Sequence, residues 1–535
     1  MSDVGMSEDG KTPEEGGSSM NAKIETTKEA AREVDLVIVG AGFGGLCMGI
    51  KMLEAGRTNF VILEKAEEVG GTWRDNTYPG CACDVQSHMY SYSFEGKADW
   101  SKRYAPWHEI QGYIQNTTEK YGVRPFIEHG QEVTSAVWDE RAARWSIATT
   151  RGDTFLAKHW VLATGPLHVP HMPEIPGLDR FKGRVFHSAR WDHDYDFEGK
   201  DVVSIGTGGS AIQYIPEIAP KVKQLTVMQR TPAWVIPRDE RRYSALDKRL
   251  FARFPLLRKL HRARLYWTNE SRVWPIFNPS IAKTLQKLAE GFIRVQVRDP
   301  EVRRKLTPDY TIGCKRVLIS NVYYPTFNRP NVELVTDAIR EVRERSVVTA
   351  DGVERPADCI VFGTGFVVDP RIYMRDFELR GEGGRRLQDD WSDAAEAYMG
   401  ITVAGYPNMF QLVGPNSGLG HNSIIFMIEA QVEYILECLS LLDEKKATSL
   451  RVRPEAQRAF NEEVQDAMVG TVWSTGCSSW YQQEGGRNVA IWPWSTWRYW
   501  LRTRRVAAQD YVFEGIPAEA SATEHEDSRA AAPAG

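Results

Sequence analysis

Two glycine-rich segments contain the residues whose types and spacing indicate chemistry most clearly. The first spans residues 40–45, and Glu64 follows 24 positions after its first glycine. The second spans residues 206–211, with Ala211 at the place of the third glycine, and Arg230 follows at the same distance. Such glycines let the N–H groups of a helix N-terminus approach the pyrophosphate of a dinucleotide. The spacing therefore predicts two dinucleotide-binding sites in one chain.

The residue 24 positions downstream distinguishes the two sites. The Glu64 carboxylate can accept hydrogen bonds from ribose hydroxyls and would repel a 2′-phosphate. Arg230, with Thr231 beside it, can instead bind a 2′-phosphate. The first site is thus predicted to take FAD or NAD, and the second to take NADP. Two such cofactors in one chain imply electron transfer between them.

A disulfide reductase also pairs FAD with NADPH, but it needs a redox-active cysteine pair. The closest pair here, Cys81 and Cys83, is separated by a single residue, which is a poor spacing for that chemistry. No second CxxC or HxxxH follows that could complete a zinc site. The sequence therefore argues against a disulfide reductase, and it predicts no metal.

The glycine motifs require particular elements to position them. Apolar runs at 34–39, 60–63 and 202–205 are typical of strands that open α/β units. Residues 241–311 are rich in Arg, Lys, Leu and aromatic residues at helical spacing, which indicates a helical insertion. Within it, residues 248–264 hold seven Lys and Arg among apolar residues. This pattern allows either a membrane-surface helix or the solvated face of a helical lobe, and Pro255 favours the second.

Composition narrows the class of protein. The chain has 535 residues, a net charge of -5 and 42% hydrophobic residues, so it is long enough for two or three domains and gives no reason to expect nucleic acid as a partner. It contains no apolar run of membrane-spanning length, and its N-terminus lacks the basic-then-apolar profile of a signal peptide, so we expect neither a membrane span nor a signal peptide. Seven scattered cysteines fit a reducing environment, so we expect a cytoplasmic protein.

Residues 181–192 match the pattern FxGxxxHxxxW followed by Pro or Asp, and residues 70–84 match GGxWxxxxYPGxxxD. With both patterns present, the chain from about residue 34 to 512 resembles type I Baeyer–Villiger monooxygenases. Related N-hydroxylating enzymes carry Tyr or Phe where Trp191 stands. The fixed positions of the first pattern are Phe181, Gly183, His187, Trp191 and Asp192.

The resemblance implies a reaction and a set of roles. Such an enzyme converts a ketone to an ester or lactone with NADPH and O2, through a C4a-peroxide of FAD. Arg316 matches the active-site arginine, which would bind the peroxide and the later oxyanion. Asp84 matches the carboxylate that holds this arginine, and Lys315 matches a lysine near the NADP 2′-phosphate. His187 is expected in an interdomain linker; positioning of the domains and a direct chemical role both stay open for it, and it is not assigned as a base.

The same resemblance predicts the cofactor contacts and the domain boundaries. Trp480 matches a tryptophan that folds over NADP, with a core position as the alternative, and a helix after Ser423 is expected to point its N-terminus at the flavin. The FAD contacts are predicted at Gly40, Gly42, Phe43, Gly45, Glu64, Gly71, Thr72, Trp73, Asp84, Tyr90, Val133 and Ser423. The NADPH contacts are predicted at Gly206, Thr207, Gly208, Ser210, Ala211, Gln213, Arg230, Thr231, Lys315 and Trp480.

The predicted fold is α/β, with two Rossmann-like dinucleotide-binding domains and a helical insertion. The FAD domain is assigned to 34–170 and 368–513, the NADP domain to 171–367 with the insertion at about 241–311, and disordered tails to 1–33 and 518–535. Two other functions stay open: oxygenation of a sulfide or amine, and redox sensing without turnover. Segments 485–488 and 492–494 resemble enzymes that take acyclic or aryl ketones.

Overall fold

The computed structural model describes residues 31–474, 476, 479–483 and 486–515. The predicted tails lie outside this range, apart from residues 31–33. Strand β1 begins at Arg32, two residues before the predicted boundary, because Arg32 and Glu33 pair with Phe155 and Leu156 of a neighbouring strand. The elements up to residue 162 are β1 Arg32–Val39, α1 Phe43–Glu54, β2 Phe60–Glu64, α2 Thr72–Asp75, α3 Trp107–Lys120, β3 Ile127–His129, β4 Val133–Asp139, β5 Arg144–Thr149 and β6 Thr154–Leu162.

The middle stretch of chain contains a second set of strands and a run of helices. Its elements are β7 Arg184–His187, β8 Asp201–Ile205, α4 Ala211–Ile218, β9 Gln224–Met228, β10 Val235–Ile236, α5 Ala245–Arg253, α6 Pro255–Glu270, α7 Val273–Phe277, α8 Pro279–Gln296, α9 Pro300–Leu306, β11 Leu318–Ile319, α10 Tyr323–Thr326, β12 Val332–Val335, β13 Ile339–Arg343, β14 Ser346–Thr349, β15 Glu354–Pro356 and β16 Cys359–Phe362.

The last stretch returns to the first sheet and adds a long helix. Its elements are α11 Pro370–Tyr373, β17 Glu378–Arg380, α12 Leu387–Asp390, β18 Met409–Gln411, α13 Ile424–Lys445, β19 Ser449–Val452, α14 Pro454–Met468, α15 Thr496–Thr503 and β20 Tyr511–Glu514.

The first sheet combines strands from both ends of the chain. Strands β18, β6, β1, β2 and β3 lie side by side and run parallel. The first half of β6 instead pairs with β5 in an antiparallel meander that continues to β4, and β17 joins β4. The parallel part ends at the first glycine motif, which follows β1. The carboxyl ends of its strands are the expected place for a ligand in an open α/β sheet.

The second sheet is entirely parallel, with strand order β12, β9, β8, β16, β7. The second glycine motif follows β8 as the first follows β1. A three-stranded antiparallel sheet, β13 to β15, is inserted before β16. Each motif therefore sits at the carboxyl edge of its own parallel sheet, and the fold is α/β as predicted.

Helices α5 to α9 form a lobe between β10 and β11, which pair with each other in parallel. The capping box of Ser244 and Asp247 starts α5, and Pro255 begins α6 rather than breaking a single longer helix. Within the described residues, none of the helices is long and apolar enough to cross a membrane.

The cysteines are mostly buried single thiols. Cys47, Cys81, Cys83, Cys359 and Cys438 are free, which agrees with the reading of the sequence. Cys314 is disulfide-bonded, which the sequence did not predict. Spacing along the chain cannot reveal a pair that only the folded chain brings together.

Candidate active site

The first glycine of each motif lies against a backbone carbonyl of a neighbouring strand. Gly40 has φ of +104°, and a Cβ there would lie 2.8 Å from the carbonyl oxygen of Ala163. Gly206 has φ of +106°, and a Cβ there would lie 2.4 Å from the carbonyl oxygen of Gly363. Only glycine fits either position without strain. The two turns therefore have the same construction, at the ends of β6 and β16.

The alanine in the second motif is accommodated by a glycine across from it. The Ala211 methyl faces Gly363, where an added Cβ would lie only 3.1 Å away. At the first site the corresponding strand end is Ala163. There the glycine beside the Ala163 methyl is Gly44, so small residues let the start of the helix lie close to the strand end at both sites.

Glu64 ends β2 beside the first motif, and its side chain is buried. One carboxylate oxygen accepts a hydrogen bond from the Ala41 N–H at 2.8 Å. The other accepts from the Ala66 N–H at 3.0 Å and from Arg74 Nη1 at 2.9 Å. These bonds hold the carboxylate at the edge of the turn, where the sequence placed the ribose-binding acid.

A positive pocket lies beside the second motif. Arg230 and Lys315 line the same cavity wall as Thr207 and Thr231. Burial, and then the nearby charge of Arg230, lowers the pKa of Lys315. The Lys315 ammonium lies 4.8 Å from the centre of the Tyr310 ring. Two cations brought this close favour a ligand with a concentrated negative charge, such as a phosphate.

Both motifs open into one cavity of about 1490 Å³. This is larger than a typical site for one drug-sized ligand, about 300–1,000 Å³. Among the predicted contacts, Gly45, Ala211 and Ser423 do not line it. The predicted residues that do are Gly40, Gly42, Phe43, Glu64, Gly71, Thr72, Trp73, Asp84, Tyr90, Val133, Gly206, Thr207, Gly208, Ser210, Gln213, Arg230, Thr231, Lys315, Arg316 and Trp480.

Arg316 and Asp84 meet in this cavity although they are 232 residues apart in the chain. Arg316 Nη2 donates a hydrogen bond to Asp84 Oδ2, and the two form an ion pair. The Asp84 carboxylate raises the pKa of Arg316 further above its ordinary value. The Arg316 side chain is 43% exposed, and the surface it exposes includes the cavity wall. The site thus contains a permanent positive charge, on Arg316, that the Asp84 carboxylate holds in place.

Aromatic residues form the wall next to this pair. Trp73 Nε1 donates a hydrogen bond to the Tyr90 hydroxyl at 3.2 Å. The Phe43 and Tyr90 rings are 5.4 Å apart and edge to face. Burial raises the pKa of Tyr90 well above its usual range, so its hydroxyl stays protonated. Trp480 is half-exposed at the cavity, with its ring 4.4 Å from that of Tyr481.

Gln213 links helix α4 to the loop that carries Asp84. Its amide nitrogen donates to the Ala82 carbonyl at 3.0 Å, and its amide oxygen accepts from the Ala82 N–H at 3.2 Å. The same oxygen accepts from the Tyr78 hydroxyl at 3.0 Å. The sequence suggested Gln213 only as a coenzyme contact. Its bridging bonds come from residues about 131 positions away, so no local signal indicated them.

The fingerprint residues lie outside the cavity lining. Trp191 is buried among aromatic rings, 5.3 Å from Tyr214 on α4 and 6.5 Å from Tyr78. Phe181 packs against the core of the second sheet, Gly183 precedes β7, and Asp192 accepts a hydrogen bond from Arg184. Because its ring also lies 5.1 Å from that of Phe186 on β7, Trp191 packs the second sheet against the loop of the 70–84 pattern.

His187 ends β7, where its Nδ1 accepts a hydrogen bond from the Ala189 N–H at 3.0 Å. Burial lowers the pKa of His187 to about 4. The imidazole is therefore neutral near pH 7. The linker position expected for His187 is therefore wrong: His187 is the last residue of a strand of the second sheet, where it pairs with Phe362, and it does not line the cavity.

Helix α13 begins at the cavity wall, and a buried network that the sequence reading missed supports its start. Asn422, which lines the cavity, donates to Glu270 Oε1 at 2.7 Å. Thr496 Oγ1 donates to the same oxygen at 2.5 Å, and His421 Nε2 lies 3.4 Å from it. The Ser423 hydroxyl is buried, with no hydrogen-bond partner among the described residues. Glu270 and Thr496 are 226 positions apart, which hides the network from sequence patterns.

These features fit two dinucleotides in one cavity. The turns at Gly40 and Gly206 leave no room for a side chain, so backbone N–H groups can approach a ligand closely at both motifs. Arg230 and Lys315 supply cations beside the second motif. The fold and the site together define a two-dinucleotide oxidoreductase.

Comparison with known proteins identifies the class. Residues 33–288 match the family described as flavin-binding monooxygenase-like. A Baeyer–Villiger monooxygenase of Pseudomonas aeruginosa is 44% identical over 519 residues, which cover 96% of this chain and 98% of that protein. The structure of an oxidized steroid monooxygenase bound to NADP has a TM-score of 0.81 and 32% identity, covering 90% of this chain and 99% of the other. A structure of OTEMO with FAD and NADP gives a TM-score of 0.82 and 29% identity, covering 90% and 100%.

The chain belongs to the Baeyer–Villiger monooxygenases of the flavin-binding monooxygenase-like family. It is an FAD-dependent enzyme that uses NADPH, and its reaction is the oxygenation of a ketone to an ester or lactone. The resemblance drawn from the two sequence patterns is confirmed.

Proposed function

We propose that this enzyme binds FAD at the first glycine motif and NADPH at the second, and oxygenates an apolar ketone beside Arg316. When bound, FAD supplies the redox chemistry that activates O2. The observation that carries the proposal is the Arg316–Asp84 ion pair, because it lies on the wall of the cavity that both motifs line. A nucleotide-binding protein without turnover has no need of such a charge.

The role proposed for Arg316 is electrostatic. Attack on a ketone carbonyl turns its oxygen into an oxyanion, and a fixed cation beside that oxygen stabilises the transition state. Arginine suits this role because its guanidinium keeps its proton throughout the working pH range. Asp84 orients the guanidinium by hydrogen bond and charge, so we propose it as a positioning residue.

The role proposed for Arg230 and Lys315 is selection of NADPH over NADH. Both are cations on the cavity wall beside the second motif, and Arg230 stands at the position that Glu64 holds in the first. The first site, in contrast, holds the buried Glu64 carboxylate beside the turn. This difference in charge supports the assignment of FAD to the first site.

The boundaries proposed from the sequence assign 34–170 and 368–513 to the FAD domain and 171–367 to the NADP domain. The pairing of β18 with β6 and of β17 with β4 supports the return of the chain to the first sheet. The parallel strands β7 to β9, β12 and β16 support a separate second unit.

The substrate class that we propose is acyclic or aryl ketones. Val489, Ala490 and Ile491 line the cavity with apolar side chains. Trp492 is buried in the core against Trp494, so it shapes this segment without facing the substrate. Residue 485, part of the segment on which the expectation rests, lies outside the described residues.

A ketone panel tests the substrate class. The FAD-loaded enzyme is given NADPH, O2 and matched sets of acyclic, aryl and cyclic ketones, and the ester or lactone is quantified by mass. We expect kcat/KM to be highest for an acyclic or aryl ketone. A consistent preference for cyclohexanone-like rings would overturn the substrate class while leaving the reaction type intact.

A further inference from the structure

The helical lobe exposes apolar side chains that a water-facing helix would not normally carry. On α6, Leu256, Leu260 and Trp267 recur at intervals of four and seven residues and so share one face. Leu256 is 67% exposed and Trp267 is 60% exposed. The other face of α6 buries Leu265 and Asn269. This helix is therefore apolar on its outer surface as well as on part of its inner one.

Neighbouring helices of the lobe repeat the pattern. Leu246 and Leu250 of α5, and Phe254 between α5 and α6, are exposed. On α8, Leu288 and Val295 are exposed at an interval of seven residues, while Ala289 and Ile293 are buried. Isolated exposed apolar residues are ordinary, but a set concentrated in one lobe marks an interaction surface.

Helix α15 exposes aromatic residues next to the same lobe. The Tyr266 hydroxyl of α6 hydrogen-bonds Thr496 Oγ1 at 3.0 Å, which joins α6 to α15. Trp267 and Trp497, each adjacent in sequence to one of these two residues, are both exposed. Tryptophan is enriched where an apolar phase meets water.

The charge of the lobe is opposite to that of the whole chain. Residues 245–296 contain eleven Lys and Arg against three Asp and Glu, whereas the full chain has a net charge of -5. Lys259 and Arg264 are exposed on α6 among its outer apolar residues. Helices with Leu, Phe and Trp on one side and Lys and Arg beside them are typical of proteins that lie in the interface of an anionic bilayer.

We propose that this lobe docks the enzyme on the surface of a membrane rich in anionic lipids. The exposed Leu, Phe and Trp side chains enter the boundary between headgroups and acyl chains, and the Lys and Arg side chains bind lipid phosphates. A second copy of the chain is a poorer occupant, because a two-fold symmetric contact through this surface would place basic side chains against basic side chains.

Vesicle binding tests the proposal with the full FAD-loaded chain. Vesicles of phosphatidylcholine alone are compared with vesicles containing equal parts of phosphatidylcholine and phosphatidylglycerol, at low and high salt. We expect binding to the phosphatidylglycerol vesicles that weakens as salt rises, and much weaker binding to phosphatidylcholine alone. No binding to either vesicle at low salt would overturn the proposal.

Variants separate this surface from non-specific adsorption. The double variant Leu260→Glu, Trp267→Glu should bind at least tenfold more weakly, since it removes apolar contacts and adds repulsion. Lys259→Glu with Arg264→Glu should lose more than tenfold, because each basic side chain near the surface contributes about fivefold. Val353→Glu, in the exposed turn between β14 and β15, is the matched control and should bind as wild type.

Sedimentation of the same proteins without lipid measures their oligomeric state and so tests whether a second copy of the chain covers this surface. We expect the two lobe variants and the wild type to have the same oligomeric state. If the wild type self-associates, the Leu260→Glu, Trp267→Glu variant does not, and neither protein binds vesicles, the surface is a contact between copies and the membrane proposal is wrong. Unchanged vesicle binding by both lobe variants would also overturn it.

Discussion

Replacing Arg316 with alanine should separate the two halves of the catalytic cycle. The change removes a full positive charge from the cavity wall, where Asp84 keeps the guanidinium protonated. Loss of one neutral oxyanion donor costs about 10²–10³-fold in rate, so loss of this charge should cost at least that, or about 3–4 kcal/mol. The remaining Asp84 carboxylate is 29% exposed and can be solvated, so the variant should fold.

Lysine should restore little of the activity at this position. An ammonium lacks the planar fork that can contact Asp84 and the oxyanion together. Asp84→Asn keeps a hydrogen-bond acceptor but loses the charge that orients Arg316, so we expect a loss of about tenfold, smaller than that of the alanine variant. Arg304→Ala, which removes an exposed arginine of α9, is the matched control and should be active.

Stopped-flow spectroscopy can follow each half-reaction. NADPH first reduces the flavin without O2, and the reduced enzyme is then mixed with O2 and ketone while ester is quantified. Arg316→Ala should be reduced at a rate near that of the wild type and should form almost no ester. Ester formation at the wild-type rate would show that Arg316 is a structural residue. An equal decrease in the rates of flavin reduction and ester formation would show that Arg316 acts in NADPH binding.

Three further predictions follow from the site. Arg230→Ala should weaken NADPH binding by roughly 1.5–3 kcal/mol and leave NADH unchanged, and equal KM values of the unaltered enzyme for both coenzymes would contradict the assignment. Gly206→Ala should abolish NADPH binding while FAD stays bound, whereas Gly40→Ala should yield colourless protein; FAD loss in both would argue against separate sites. Burial lowers the pKa of His88 to about 3 and that of His187 to about 4. Both histidines therefore bind a proton less readily in the folded chain than in the unfolded chain. The contribution of these two histidines to the free energy of unfolding should therefore be fully present near pH 7 and be lost between about pH 6.5 and pH 4, by roughly 3 kcal/mol per histidine; a flat Tm over that range would refute this.

Local sequence patterns were sufficient for the parts of the site built from one α/β unit. Glu64 and Arg230 lie at equal distances from Gly40 and Gly206 because each distance spans one helix and one strand of a parallel unit. The chemistry of that position could therefore be read from spacing alone. The same reasoning indicated the α/β class. Each motif directly follows a buried strand, β1 or β8, that pairs in parallel with its neighbours.

Contacts between distant parts of the chain could not be predicted in this way. The meeting of Arg316 with Asp84 was expected only from the family resemblance, because 232 residues separate them. The bonds from Gln213 to Ala82 and the buried network around Glu270 had no local pattern at all. The exposure of Trp267 was also hidden, since composition does not tell which face of a basic helix packs inward.

The most direct test of the account is the fate of oxygen during turnover. The FAD-loaded enzyme is supplied with NADPH, the ketone that it uses best and isotopically labelled O2, and the products are analysed by mass. We predict that ester forms with one labelled oxygen atom for each NADPH consumed, and that NADPH oxidation accelerates when the ketone is added. NADPH oxidation that ignores the ketone and yields only hydrogen peroxide, without ester, would contradict the account.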